Sequence, residues 1–283
     1  STPQEEIEDF FNKRVEPLED LEPTYNSYGL RGPEFTIEKP QDVYRIIAVG
    51  GSTTFGNGVN DEFTWPFLLE KTLNELETSK KIEVINGATD GILNLQKFLF
   101  IKEDYVYLNP DLIILYEGAN DLTCYLPEYH NDFTVWTSED ILVQCGTHQP
   151  KDHSFVLSDR FSEICEIGKD KGFKVIIILQ PLVDIEGKIL TDQELESFFV
   201  HPAIGVMMDN YDEMIETVTV NTQNCIGVHD FSTIFDDYDV PLFFDRAHVG
   251  SLANTIISEH IRGLSIPILL DDEILSETPI NLK

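Results

Sequence analysis

The sequence lacks any run of about 18 consecutive apolar residues, the length that a membrane-spanning helix needs. Its longest apolar stretches, Ile113 to Tyr116 and Val175 to Leu179, have the length of a β-strand. We therefore expect no stable insertion of these 283 residues into a membrane. Because the sequence begins at Ser1 rather than Met, the compartment stays open, and secretion or an extracytoplasmic location after removal of an N-terminal segment is one alternative.

Basic residues are also scarce. The chain has 19 Lys and Arg residues against 51 Asp and Glu residues, which gives a formal net charge of −32. A field of this sign repels nucleic-acid phosphates and anionic membrane surfaces, so we expect no nucleic-acid partner. A solvated acidic surface explains the charge more simply than a specific cation site. These counts leave the oligomeric state undetermined.

The four cysteines include no C-x-x-C pair, which argues against a zinc ribbon or a thioredoxin-like redox site. Cys124 and Cys145 bracket one irregular segment, whereas Cys165 and Cys225 lie near the ends of two predicted helices that could be neighbours. An even number of cysteines permits disulfides without requiring them. Free buried thiols are an equal alternative.

Apolar runs of strand length alternate with segments of helical periodicity along most of the chain. This alternation predicts right-handed βαβ units, a parallel sheet covered on both faces and one α/β domain over 41–265. Residues 1–40 are predicted to form an N-terminal arm, 122–153 an inserted lobe and 266–283 a C-terminal tail. We predict strands at 44–49, 82–85, 112–116, 174–179 and 227–231, and helices at 64–76, 95–107, 158–171, 194–218 and after residue 248.

A serine stands where the first predicted strand ends, in the string Gly50-Gly51-Ser52-Thr53-Thr54-Phe55-Gly56. Ligands bind beyond the carboxyl ends of strands in such sheets, and glycines permit the sharp turn there. The string matches neither nucleotide-binding fingerprint, and it is not a G-x-S-x-G elbow because Thr54 replaces the second glycine. Ser52 is therefore a candidate nucleophile, with an ordinary loop or a phosphate cradle as alternatives.

A serine nucleophile needs a base that an acid orients. Among the seven histidines, only His248 has an aspartate three residues earlier, Asp245. In a tight turn or a first helical turn, this spacing brings the carboxylate to imidazole Nδ1 and leaves Nε2 free to face Ser52. The alternative is an aspartate that caps a helix beside a surface histidine.

Two further strand ends offer donors for the oxyanion that forms in acyl transfer. The second strand leads to the loop Asn86 to Gly91, where Gly91 can present an unobstructed backbone N–H. The third leads to Gly118-Ala119-Asn120-Asp121, where the Asn120 amide can donate. Each loop alone is an ordinary turn. Their agreement with Ser52 at three successive strand ends indicates a shared site.

At this point the sequence resembles the GDSL/SGNH hydrolase family, whose four blocks carry Ser, Gly, Asn and D-x-x-H in that order. The blocks correspond here to 50–52, 86–91, 118–121 and 245–248, and the resemblance covers about 45–262. Gly51 stands where the family's first block has Asp. This departure concerns the subfamily and not the proposed triad.

The resemblance implies a flavodoxin-like three-layer αβα sandwich with a five-stranded parallel sheet. It also implies a site without metal or cofactor, with catalytic Ser52, Asp245 and His248 and an oxyanion hole formed by Ser52 and Gly91 N–H groups and Asn120. The segment Asn26 to Gly32 resembles one found ahead of the serine block in some members. Arg31 in that segment is predicted to bind substrate at the edge of the site.

The activity implied is that of a serine ester hydrolase, of the esterase, lipase or carbohydrate deacetylase type, acting on a small-molecule, glycan or lipid ester. An O-acyltransferase on the same site and a catalytically silent glycan-binding domain are the alternatives. Three histidines in the predicted lobe, His130, His148 and His153, raise the question of a metal. Their irregular spacing favours solvent-facing or packing roles.

Overall fold

The computed structural model of the chain describes residues 22–125, 138–147, 149–183, 187–198 and 203–275. Five strands, all parallel to their neighbours, form one sheet in the order β2-β1-β3-β4-β5. The order is that of flavodoxin-like folds. The strands are β1 Val43–Gly50, β2 Lys81–Asn86, β3 Leu112–Glu117, β4 Lys174–Leu179 and β5 Gly227–Asp230.

Helices cover both faces of this sheet. Alternate side chains of β1 enter different cores: Ile46 and Ala48 pack with α2 and α8, and Ile47 and Val49 pack with α3, α5 and α7. The predicted α/β sandwich is thus confirmed. The helices are α1 Ser52–Phe55, α2 Trp65–Asn74, α3 Asn94–Glu103, α4 Ser138–Cys145, α5 His153–Lys171, α6 Asp192–Phe198, α7 Ala203–Asn221 and α8 Ser251–Asp271.

Helix α2 shows how the sequence specifies these layers. Trp65, Leu69 and Leu73 recur every four residues and are fully buried, so they form one apolar stripe against the sheet. Pro66 lies in the first turn, where no intrahelical N–H bond is lost. Within the described residues, no helix combines the length and apolarity that crossing a membrane requires.

The single helix expected over 194–218 is wrong, because two helices, α6 and α7, occupy this region. Pro202 precedes α7 in the sequence, and proline in a helix interior removes a hydrogen bond and disfavours helix in the residue before it. The last helix also runs past residue 265, where the tail was expected to begin. It continues through Pro267 to Asp271 because Ile268 and Leu269 pack into the core.

The four cysteines, whose state the sequence left open, form two disulfides, Cys124–Cys145 and Cys165–Cys225. The alternative of free thiols is therefore not what the structure shows. The first disulfide joins α4 to the 3₁₀ turn after β3, and the second joins α5 to the segment before β5.

Part of the predicted lobe, including His130 and His148, lies outside the described residues.

Residues 22–40 of the predicted arm lie against the sheet domain. Arg31 forms isolated bridges with Tyr25 and with Asn86 at the end of β2. The fully buried Arg45 of β1 donates to the carbonyls of Thr36 and Ile37 and thereby fixes the end of the arm. Residues 1–21 lie outside the described part of the chain.

Candidate active site

The candidate nucleophile lies at the carboxyl end of β1, as predicted. β1 ends at Gly50, and Ser52 begins the short helix α1 after a single extended residue, Gly51. A Cβ on Gly51 would lie 2.8 Å from Nδ2 of Asn120, so this loop and the one after β3 are in close approach. One predicted oxyanion donor therefore lies close to the backbone of the residue next to Ser52, where a larger residue than glycine would collide with it.

Ser52, His248 and Asp245 form one hydrogen-bonded chain. His248 Nε2 lies 2.7 Å from Ser52 Oγ, and His248 Nδ1 lies 2.8 Å from Asp245 Oδ2. Since a carboxylate only accepts, Nδ1 donates to Asp245 and Nε2 is left to accept the Ser52 hydroxyl hydrogen. The arrangement suits a general base next to a hydroxyl nucleophile.

A tight turn holds Asp245 and His248 together. Asp245 Oδ1 accepts the backbone N–H groups of Ala247 at 2.9 Å and of His248 at 2.8 Å, and the N–H of Phe244 donates to the carbonyl of His248 at 2.8 Å. The loop after β4 supports this turn, because the N–H of Val183 donates to the carbonyl of Arg246. The D-x-x-H spacing thus belongs to a turn that ends before α8.

The turn keeps Asp245 ionised. Burial alone would raise the pKa of this carboxyl, but the His248 hydrogen bond and charge and the N–H groups of Ala247 and His248 outweigh burial and lower the pKa to about 2. The Asp245 side chain is about half exposed at 52 %, so solvent weakens these interactions. A carboxylate faces His248 Nδ1 at neutral pH, which fixes the tautomer.

The two predicted oxyanion donors come from loops in direct contact. Asn120 Nδ2 donates to the carbonyl of Ile92 at 2.9 Å, which leaves its second hydrogen for another acceptor. Gly91 has a φ of 70°, in the left-handed region that favours glycine, and nothing lies within 4 Å of an added Cβ. The N–H of Thr89 in this loop donates to the carbonyl of Gly50 at 3.2 Å. The loops after β1, β2 and β3 therefore converge.

Arg31 does not occupy the predicted position at the edge of a substrate site, and this expectation is corrected. Its side chain is 1 % exposed and pairs with Asp61 Oδ1 at 2.6 Å. The guanidinium also donates to the carbonyls of Phe55, Gly56 and Val59 at 2.7 to 3.0 Å. These contacts hold the segment after α1 in place, because a buried guanidinium requires partners for its five N–H groups.

Several residues that organise the site were not given a role from sequence. Asn86 Nδ2 donates to the carbonyl of Thr54 in α1 at 3.1 Å, and the hydroxyl of Thr53 donates to Gln180 Oε1 at 3.0 Å. Asn86 ends β2 and Gln180 directly follows β4. The rule that places functional groups at carboxyl ends of parallel strands could have drawn attention to both.

A buried ion pair fixes the chain just before the Asp245 turn. Glu194 Oε1 accepts the N–H groups of Leu242 and Phe243, and Glu194 Oε2 lies 2.8 Å from Lys188 Nζ. Burial would raise the pKa of Glu194, but the Lys188 hydrogen bond and the backbone donors lower it. No local sequence signal links Glu194 to residues 48 positions away.

A grouping of metal-ligand type lies near the site, where ligand atoms of Cys124, Cys145 and His153 fall within 4.8 Å of one another. Both sulfurs are bonded to each other and so offer no thiolate. His153 is fully buried and donates or accepts at both ring nitrogens within the protein. It has the packing role that was expected for it.

Comparisons with known proteins indicate the family and the fold. The family model described as GDSL-like Lipase/Acylhydrolase matches residues 46–261. A search of curated proteins gives no match. A catalytic mutant of an acetylxylan esterase from Geobacillus stearothermophilus is 16% identical, with a TM-score of 0.54 over 77% of this chain and 92% of that one. LAE5, an alpha/beta hydrolase enzyme from the metagenome of Lake Arreo, is 15% identical, with a TM-score of 0.53 over 78% and 94%.

Proposed function

We propose that this chain, which belongs to the GDSL-like lipase/acylhydrolase family, is a serine ester hydrolase that acts through an acyl-enzyme on Ser52. The observation that carries the proposal is the hydrogen-bonded chain from Ser52 Oγ through His248 to the Asp245 carboxylate. Family membership supports hydrolysis of esters in general. The nucleophile and the substrate class are parts of the proposal.

In the first half-reaction, Ser52 Oγ attacks the ester carbonyl carbon and its proton moves to His248 Nε2. The carbonyl oxygen becomes an oxyanion, for which the N–H groups of Ser52 and Gly91 and the Asn120 amide are the proposed donors. Collapse of this intermediate breaks the bond to the alcohol oxygen. His248 returns the proton to the departing alcohol, and the acyl group stays on Ser52.

In the second half-reaction, water takes the place of the alcohol. His248 removes a proton from the water, the resulting oxygen attacks the acyl carbon, and Ser52 leaves with that proton. The His248 side chain is 28 % exposed and Asp245 is about half exposed, so the base lies where water can reach it. This exposure favours water over a sugar hydroxyl as acceptor and therefore hydrolysis over acyl transfer.

Short-chain acyl esters, including acetylated sugars, are the substrate class that we propose. Acetylxylan esterases occur among the structures of similar fold, but at 15% to 16% identity they support the fold and only suggest the substrate. The net charge of −32 adds a constraint, because it disfavours the approach of strongly anionic esters at low salt.

The test is hydrolysis of p-nitrophenyl esters of increasing acyl length and of acetylated xylo-oligosaccharides, in the presence of a chelator. We expect turnover by the wild type, labelling of Ser52 by a fluorophosphonate, and neither in Ser52→Ala. Product analysis with an added sugar acceptor separates hydrolysis from transfer. Undiminished turnover by Ser52→Ala would exclude the proposed nucleophile.

A further inference from the structure

Four buried ionisable side chains form a cluster beside Asn120. No step of the proposed reaction uses this cluster. Its members are Lys97, Glu117, Asp121 and His153, and each is at most 2 % exposed. The cluster thus places a lysine ammonium, two carboxyl groups and an imidazole together away from water. Removing such charges from water is expensive, so buried ionic groups are weak evidence for stability and can have another role.

The cluster joins the two loops that carry the proposed oxyanion donors. These loops follow β2 and β3, which are not neighbours because β1 lies between them. The carboxylate of Asp121 accepts the backbone N–H of Asn94, with its two oxygens at 3.0 and 3.2 Å. Asn120, the residue before Asp121, donates to Ile92 in the loop that contains Gly91. Two adjacent residues of one loop therefore bind the other loop.

A second carboxylate strengthens the same connection. Glu117, at the end of β3, accepts Lys97 Nζ at 2.5 Å and Asn94 Nδ2 at 3.3 Å, and both donors belong to α3. Because α3 begins three residues after Gly91, these contacts hold the start of α3 against the loop after β3. All of these groups are shielded from water, so the contacts are not screened as surface pairs are.

His153 orients the Asp121 carboxylate. His153 Nδ1 lies 2.8 Å from the carbonyl of Cys145, and since a carbonyl only accepts, Nδ1 carries a hydrogen. Nε2 lies 3.3 Å from Asp121 Oδ1, so the same ring also contacts the carboxylate. Cys145 is in turn bonded to Cys124, within the 3₁₀ turn that begins at Asp121. Asp121 is thus held by α5, through His153, as well as by α3.

We propose that Asp121 and His153 are positioning residues, which keep the Gly91 N–H and the Asn120 amide at the separation that the oxyanion requires. This inference rests on the proposed function. Neither residue touches the substrate in this role. Displacement of a reacting group by about 1 Å can cost about 100-fold in rate, so a loosened connection between the two loops should reduce kcat.

The first test compares Asp121→Ala with Asp121→Asn by steady-state kinetics on a short-chain p-nitrophenyl ester. We expect kcat of Asp121→Ala to fall about 10- to 100-fold with little change in KM, because transition-state donors are displaced and ground-state binding is not. Asp121→Asn keeps a side-chain oxygen for the Asn94 N–H, so it should recover most of the lost kcat. A kcat of Asp121→Ala equal to that of the wild type would overturn the proposal.

A double-mutant cycle with Asn120→Ala separates positioning from general distortion. Once the Asn120 donor is absent, Asp121→Ala should reduce kcat by less than about threefold further, because residues that act as a unit are not additive. Fully additive losses would overturn the proposal. Should Asp121→Ala fail to fold, the same cycle with His153→Gln decides the question, with the same expected sign.

Glu83→Gln is the matched control. Glu83 pairs with the fully buried Arg45 at 2.6 Å, near the amino ends of β1 and β2, whereas the candidate site lies at the carboxyl ends. We expect it to lower the melting temperature and leave kcat unchanged, as a purely structural role predicts. A wild type that neither hydrolyses esters nor takes the fluorophosphonate on Ser52 would refute the proposed function itself. If the wild type hydrolyses esters and is labelled on Ser52, but Asp121→Ala has the same kcat, the positioning role is refuted and the proposed function stands.

Discussion

The Asp245–His248 turn and the pair of loops that carry Gly91 and Asn120 converge on Ser52, but they are held in opposite ways. The turn is open to solvent, with Asp245 at 52 % and His248 at 28 % side-chain exposure, and backbone hydrogen bonds shape it. The oxyanion loops are joined in large part through the buried cluster of Lys97, Glu117, Asp121 and His153, whose side chains are at most 2 % exposed. One region is fixed by local chain geometry and the other by long-range polar contacts.

This difference in burial predicts that substitutions in the two regions have different effects on stability. A carboxylate in an exposed turn contributes little to stability, because solvent screens its interactions. A buried lysine or carboxylate that loses its partner leaves an uncompensated charge in the interior, which is strongly destabilising. We therefore expect substitutions in the turn to affect catalysis with little effect on stability, and substitutions in the buried cluster to affect stability as well.

Ser52→Ala gives the largest expected effect on activity, because both regions are proposed to assist the reaction at the side chain of Ser52. We expect loss of ester hydrolysis on the order of 10⁵- to 10⁶-fold, since the variant lacks the atom that forms the acyl-enzyme. Among the residues that the structure describes, Ser52 Oγ makes one hydrogen bond, to His248, so the unfolding free energy should change by about 1 kcal/mol or less. Kinetic assays and urea unfolding measure the two effects.

Asp245→Asn should come next and should show the separation on the exposed side. The asparagine oxygen can still accept the N–H groups of Ala247 and His248, so the turn should persist. Its amide would not stabilise the Nδ1–H tautomer of His248, and we expect kcat/KM to fall on the order of 10³- to 10⁴-fold. If the loss in unfolding free energy were as large as the loss in kcat/KM expressed as a free energy, the contrast between the two regions would be contradicted.

Lys97→Met probes the buried side. Lys97 pairs with Glu117 at 2.5 Å, and both side chains are 2 % exposed, so the variant leaves a buried carboxylate without its cation. We expect a loss of about 3 to 5 kcal/mol in the free energy of unfolding, measured in urea.

Lys102→Met on the same helix is the matched control for Lys97→Met. Lys102 pairs with Glu163 at 2.8 Å, but these side chains are 48 % and 49 % exposed. Solvent screening should limit the loss to about 1 kcal/mol or less. Equal losses from the two lysine substitutions would mean that burial does not distinguish the cluster.

The strands and the D-x-x-H turn were predictable because their signals are local. Parallel strands buried on both faces leave continuous apolar runs, as in residues 112–116 of β3, and each predicted strand limit lies within one residue of the observed one. Asp245 and His248 are three residues apart, so a turn alone brings them together. That His248 faces Ser52 was inferred from the need of a serine nucleophile for a base, and the catalytic roles of Asp245 and His248 stay predictions.

The supporting contacts were not predictable, because they join residues that are distant in the chain. From the sequence, Arg31 was predicted to bind substrate, but in the folded chain its guanidinium binds Asp61 and the carbonyls of Phe55 and Gly56. Glu194 meets Leu242 across 48 residues, and His153 meets Asp121 across 32. Only the packed tertiary structure decides which polar groups are buried together.

The smallest expected effect concerns acid, and it follows from the pKa of Asp245, lowered to about 2. The unfolded chain has an aspartate pKa of about 3.9, so between these values the unfolded state binds more protons than the folded state. The stability that the carboxylate contributes is fully present above about pH 4 and is lost as the pH falls through about 2. Asp245→Asn lacks this group, so the difference in unfolding free energy between wild type and variant should shrink from about pH 6 to about pH 3.

Glu70→Gln supplies a control of opposite sign. Burial raises the pKa of Glu70, although the N–H of Val84 and the charge of Lys81 oppose it. The folded state therefore binds its proton first, and the unfavourable burial of this charge disappears as the pH falls. Wild type should thus gain stability relative to Glu70→Gln as the pH falls towards 4.5, the ordinary glutamate pKa, and it loses its advantage over Asp245→Asn only at lower pH. Urea unfolding of the three proteins at several pH values measures both trends, and a difference from Asp245→Asn that stays constant with pH would show that the hydrogen bonds of the exposed turn do not stabilise the carboxylate.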